Sequence, residues 1–174
     1  MNNSKERGFK TAKKNKKKSV IDRKGMFTIR IGSEILDVMF YNDYKRAYEV
    51  TDYAFAQGEK NGIKKRFKIG NRSRSSTVVL MNGELTDLLE LKCDNIADKD
   101  GFFSLVLNGR ARKAIFVSDY AKIHGLSKPA VTKRAQSPKS RIELVYIKTA
   151  TTTIAITIVL LKEPKRQTAT QAND

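Results

Sequence analysis

The sequence predicts an α+β fold: a single small domain of β-hairpins and short helices, containing two helices that meet at a sharp turn and a two-stranded, wing-like hairpin after them. A disordered basic arm precedes it. Three observations lead there. Apolar residues alternate over short runs separated by turn dipeptides. One segment switches to helical spacing on either side of a glycine, and the run Lys13, Lys14, Lys16, Lys17, Lys18 lies in a stretch with almost nothing apolar. At 174 residues the chain suits one compact core with tails.

Residues 1–25 form the expected arm, because a stretch with almost nothing apolar cannot offset the entropy of ordering. The folded domain is expected over residues 26–162. Phe27, Ile29 and Ile31 alternate with Thr28 and Arg30, Gly32-Ser33 supplies a turn, and Leu36, Val38 and Phe40 alternate again, giving a hairpin. From Asn42 to about Gln57 the stripe Tyr44, Ala47, Tyr48, Ala54 and Phe55 has helical spacing, and Gly58 is the expected stop. Phe67 and Ile69 alternate with Arg66 and Lys68, and a loop from Gly70 to Ser76 leads into Thr77–Met81, a second hairpin with cations outside. Leu85, Leu88, Leu89 and Ile96 fit a helix from Glu84, while Leu85, Leu89 and Leu91 leave a strand open. Phe102–Leu107 and Lys113–Phe116 flank Asn108-Gly109, a pair suited to the positive φ angles of a type I′ turn. Ile142–Ile147 and Thr153–Leu161 are β-branched enough to be strands, and residues 163–174 form a flexible tail.

Between the third hairpin and those strands, residues 117–136 carry the signals for two short helices. Ser118 caps the first, whose buried side is Tyr120, Ala121 and His124. Gly125 takes the left-handed conformation that ends it, Leu126 turns inward, and Ser127 caps the second. Pro129 falls in the first turn of that helix, where it forfeits no intrahelical hydrogen bond. Val131 packs inward with Ala130 and Ala135.

Ala121, Gly125, Leu126 and Val131 stand at the spacing at which this segment resembles the helix-turn-helix of phage and plasmid repressors. His124 and Arg134 depart from the pattern, since apolar residues are usual there. The resemblance implies a second helix whose N-terminal part enters the major groove, with Ser127, Lys128, Thr132, Lys133 and Gln136 at the base edges. Lys139 and Arg141, leading into the wing, would then reach phosphate.

Charge points the same way. The formal net charge is +17, and it is clustered. Residues 1–24 hold ten Lys/Arg against two acids, residues 60–74 seven against none, and residues 109–148 ten against two. Residues 25–59 and 75–101 run net negative. Clustering suits a polyanion, because released counterions reward cations at phosphate spacing and not a high total. The expected phosphate contacts are Lys13, Lys14, Lys16, Lys17, Lys18, Lys64, Lys65, Arg66, Lys68, Arg72, Arg74, Arg134, Lys139 and Arg141.

Other chemistries are poorly supplied. Cys93 is the only cysteine and His124 the only histidine, so neither a disulfide framework nor a zinc site of several such ligands can form. No catalytic residue, cofactor or metal is expected. The run Asp94–Gly101 lacks carboxylates where a calcium loop needs them. Tyr44, Tyr48, Phe55, Phe102 and Phe103 are read as core more readily than as base-stacking rings. No apolar run spans a bilayer and no export signal follows the basic start, so a cytoplasmic, nucleoid-associated location and no membrane partner are expected.

The functional expectation is a non-enzymatic protein that binds double-stranded DNA, a transcriptional regulator or DNA-organising accessory protein of phage or plasmid type. Pairing of two copies on adjacent half-sites is expected, since one short helix reads few base pairs. Two alternatives stay open: a structural nucleic-acid packager of capsid or nucleoid kind whose arm neutralises the polymer, and an RNA-binding module using the basic hairpin.

Overall fold

A computed structural model describes residues 19–71, 76–82, 95–150 and 155–162. Its elements in chain order are β1 (Ser19–Ile21), β2 (Met26–Ile31), β3 (Glu34–Phe40), α1 (Tyr41–Ala47), α2 (Asp52–Lys60), β4 (Arg66–Ile69), β5 (Ser76–Leu80), β6 (Phe103–Leu107), β7 (Arg110–Phe116), α3 (Val117–Ile123), α4 (Lys128–Gln136), β8 (Ile142–Ile147) and β9 (Ile156–Leu161). All nine strands join one mixed sheet in the order β1-β8-β9-β7-β6-β2-β3-β5-β4. Every pairing is antiparallel except that of β1 with β8.

Period-2 alternation sends one face of this sheet inward. Phe27 and Ile29 of β2, Leu36, Val38 and Phe40 of β3, Phe67 and Ile69 of β4, and Val145 and Ile147 of β8 all enter a single apolar interior. Strands near opposite ends of the sheet meet in that cluster, so the sheet is rolled around it. The outer face is covered twice. Met39, Tyr44, Phe55 and Val79 form a satellite core under α1 and α2. Ile115, Val117, Tyr120, Ala121, Val131, Ile142 and Val159 form another under α3 and α4. Strand segments beneath the helices therefore bury both faces and read as unbroken apolar runs: Val78-Val79-Leu80, Ala114-Ile115-Phe116 and Ile158-Val159-Leu160.

The two halves of the chain repeat one another. Gly25, Phe27, Phe40, Asp43, Tyr44, Thr51 and Phe55 have counterparts 76 positions on in Gly101, Phe103, Phe116, Asp119, Tyr120, Ser127 and Val131. The backbone repeats with them. Tyr48 N donates to Tyr44 O and Val50 N to Lys45 O, as His124 N does to Tyr120 O and Leu126 N to Ala121 O. Phe40 pairs with Val78 in one half and Phe116 with Ile158 in the other. A local two-fold relates the halves where equivalent residues face each other: Ile29 opposite Leu105, both fully buried. Each half also holds a loop of the other. The buried Asp43 accepts from Ala150 N at 3.0 Å, and the buried Asp119 accepts from Asn71 N at 3.0 Å. A Cβ at Gly25 would land on the Asp43 carboxylate, so that close approach, at φ +87°, requires glycine.

Several expectations need correction. The domain is not a helix-turn-helix followed by a two-stranded wing. β9 lies between β8 and β7, and β8 between β1 and β9, so the strands after the helix pair are interior members of a nine-stranded sheet. Ile158, Val159 and Leu160 are wholly buried on both faces, which a free hairpin could not provide. The single helix expected from Asn42 to Gln57 is two, broken where Glu49 adopts φ +53° and Thr51 caps α2 through Ala54 N. Gly58 lies inside α2 and does not end it. The arm expected over residues 1–25 overlaps the fold, because Ser19–Ile21 is strand β1, held in parallel against Val145–Ile147. The three expected hairpins form as β2–β3, β4–β5 and β6–β7. The segment from Glu84 and the tail at 163–174 lie outside the described residues.

Candidate nucleic-acid interface

α3 starts at Val117 behind Phe116 with no side-chain cap, so Ser118 lies inside the helix and does not cap it as expected; α4 is built by its cap and one anchor. Gly125 turns the chain at φ +60°, with open space around its α-carbon. Ser127 Oγ accepts from Ala130 N at 3.3 Å and opens α4, with Pro129 in its first turn. Val131, fully buried, fixes the helix to the outer face of the sheet. At about 100° per residue, Lys128, Thr132, Gln136 and Lys133 then fall within an arc of about 140°, with Val131 on the opposite side. Lys128, Lys133 and Gln136 are exposed and Thr132 is half-buried, its hydroxyl donating to Lys128 O at 3.2 Å. Ser127 is exposed at the helix start.

Around that arc lies a field of one sign. Residues 120–142 contain six Lys/Arg and no Asp or Glu. Lys122, Lys128, Lys133, Arg134, Lys139 and Arg141 are all exposed. No carboxylate of a described residue is within 4.0 Å of any of them. Lys139 and Arg141 occupy the connection from α4 into β8, not a wing. His124 is exposed and not on the buried side of α3 as expected; its ring lies tilted against that of the buried Tyr120, with centroids 4.3 Å apart.

The basic hairpin is different. Arg66 is clamped by Glu59, Nε to Oε1 at 3.0 Å and Nη2 to Oε2 at 2.6 Å, and its guanidinium lies over the rings of Tyr41 and Phe55. Glu59 holds it above its ordinary pKa. Lys64 lies over the Tyr44 ring and Lys65 over Phe67; Lys68 alone of the described cations in this strand is exposed. Burial, and then the Asp52 carboxylate to which it donates, push the Tyr41 hydroxyl up to about 12. Lys13, Lys14, Lys16, Lys17, Lys18, Arg72 and Arg74 lie outside the described residues.

No known protein family, curated protein or solved structure matches this chain. Its chemistry has to be read from its own surface. Of the aromatic residues considered for stacking, Tyr44, Phe55 and Phe103 are core, Phe102 is half-buried under Lys113, and Tyr48 is exposed. Among the described residues no three His, Cys, Asp or Glu gather as a metal site, and no helix is long and apolar enough to cross a membrane.

Sequence reasoning missed the duplication, and with it the comparison that separates the two helix pairs. The signal was present: Phe40-Tyr-Asn-Asp43-Tyr44 recurs as Phe116-Val-Ser-Asp119-Tyr120. Aligning the chain with itself would have exposed it.

Proposed function

We propose that this chain binds double-stranded DNA through the exposed face of α3 and α4, as a sequence-reading regulator or a DNA-organising accessory protein. One observation carries the reading. Lys128 and Lys133, exposed and free of described carboxylate partners, share a helix arc with Thr132 and Gln136, and four more such cations lie within residues 120–142 with no acid among them. A lone α-helix fits the wide major groove of B-DNA, whereas the major groove of an RNA duplex is too narrow and deep for it. Lys128 and Lys133 match the two acceptors of guanine, Gln136 the acceptor and donor pair of adenine, and Ser127 and Thr132 either. Lys122, Arg134, Lys139 and Arg141 lie outside the arc and would meet phosphate, setting register without reading sequence. Arg66, already neutralised by Glu59, has no part in this surface.

Fluorescence anisotropy with a selected duplex and a scrambled one tests it. Lys133→Ala should shrink the preference between them roughly tenfold, the scale of one base contact. Lys139→Ala should weaken both alike. Equal loss on both duplexes with Lys133→Ala would leave a packaging role without readout, and tighter binding to single-stranded RNA would overturn the reading.

A further inference from the structure

The two-fold inside this chain bears on how many copies sit on one DNA site. Proteins that read DNA with paired helices commonly bind palindromes, because two copies related by a dyad meet two half-sites. Here the dyad lies within one polypeptide. β2 pairs with β6 at Ile29 and Leu105, so the edge along which two single halves would associate is already sealed inside a continuous sheet. The chain thus carries two helix pairs in dyad-related positions, α1–α2 and α3–α4, built with the same caps and the same backbone bonds.

Their surfaces have diverged. Residues 44–66 hold six Lys/Arg, as residues 120–142 do, but add Glu49, Asp52 and Glu59. Two of those acids neutralise cations: Lys45 bonds Asp52 at 2.9 Å and Arg66 bonds Glu59 at 2.6 Å. Position by position, Asp52 stands at the start of α2 where Lys128 starts α4, Gln57 where Lys133 stands, and the exposed Ile63 where Lys139 stands. A carboxylate at the start of the helix would face the phosphates its counterpart attracts.

We infer that one chain engages one duplex as a monomer, through α3–α4 and not through α1–α2, and that its target is a single non-palindromic site. This rests on the proposed reading of the α3–α4 face. Within that reading it replaces the expected homodimer: the first half fills the structural place of a partner and withholds the second half-site.

Selection of full-length chain on random duplex DNA, in the presence of non-specific competitor, followed by native mass spectrometry of the complex, decides it. The expected result is an enriched motif without a centre of symmetry and one chain per duplex. Lys128→Asp, which copies the first half's residue onto the second, should cost at least about tenfold in affinity. Asp52→Ala should change it less than about twofold, as for an exposed surface charge. An enriched inverted repeat carrying two chains would overturn the monomer inference and leave DNA binding standing. Failure to bind any duplex would overturn both.

Discussion

The salt dependence of binding offers the sharpest quantitative test of the α3–α4 face. Six cations, Lys122, Lys128, Lys133, Arg134, Lys139 and Arg141, are exposed and have no described carboxylate within 4.0 Å. If the four assigned to phosphate, Lys122, Arg134, Lys139 and Arg141, neutralise one each, they contribute about −4 to the slope of log K against log salt, at about 0.9 per phosphate on B-DNA. Replacing Lys122, Lys139 and Arg141 together by alanine should flatten the slope by about 3, so that the affinity lost between about 50 and 200 mM salt shrinks roughly fortyfold. Contributions from elsewhere in the chain enter both proteins equally and cancel in the difference. Lys45→Ala serves as control: Asp52 already neutralises that ammonium at 2.9 Å, so it has few counterions to release and its loss should leave the slope unchanged. Anisotropy titrations across the salt range measure both. A triple variant with the wild-type slope, or a Lys45 variant that flattens it, would refute the assignment of the polyanion face to the second half.

Four further outcomes follow from the packing. Val131→Ala removes buried methyl groups from the anchor of α4 and should cost about 2 kcal/mol in urea denaturation, with loss of duplex binding; unchanged stability would mean that α4 is held by something else. Gly25→Ala should destabilise far more than Gly109→Ala: both have positive φ, worth about 1–2 kcal/mol, but only at Gly25 does the new Cβ strike Asp43, so equal melting losses would disprove that contact. Asp119→Ala leaves Asn71 N without its carboxylate and should cost about 1–3 kcal/mol, matched by Asp43→Ala at Ala150; a neutral result for both would remove the cross-half clasps from the account of stability. Arg23, then Thr28, hold the Asp37 carboxyl below its ordinary 3.8, so the unfolded chain takes up this proton first as pH falls. Its contribution is complete above that value and lost as pH drops through the lower folded one, and Asp37→Asn should show a smaller acid loss in urea midpoints measured across that range.

Much of the local structure was legible because its causes are local. Asn108-Gly109 takes positive φ at both residues, and the turn it makes sets the register of β6 against β7. Ser127 caps α4, Gly125 turns left-handed and Val131 is buried, each through contacts within a few residues or through an apolar side chain with one way to hide. The break at Glu49 was not legible, because a glutamate carries no sign that it will adopt φ +53°. Only its equivalence to Gly125 explains that turn.

Residue order alone was enough to specify the alternating strands, the Ser127 cap after Gly125 and the clustering of positive charge, since each depends on neighbours along the chain. Folding settled the rest. Period-2 alternation is the same in a free hairpin and an interior strand, so the place of β8 and β9 depended on pairings with β1 and β7, distant in sequence. Two stretches with equal numbers of cations came to differ in pairing only when Glu59 and Asp52 were brought onto Arg66 and Lys45, while the six cations of residues 120–142 keep no described carboxylate partner. Coulomb attraction at such short range depends on separation in space, and chain order constrains that only loosely.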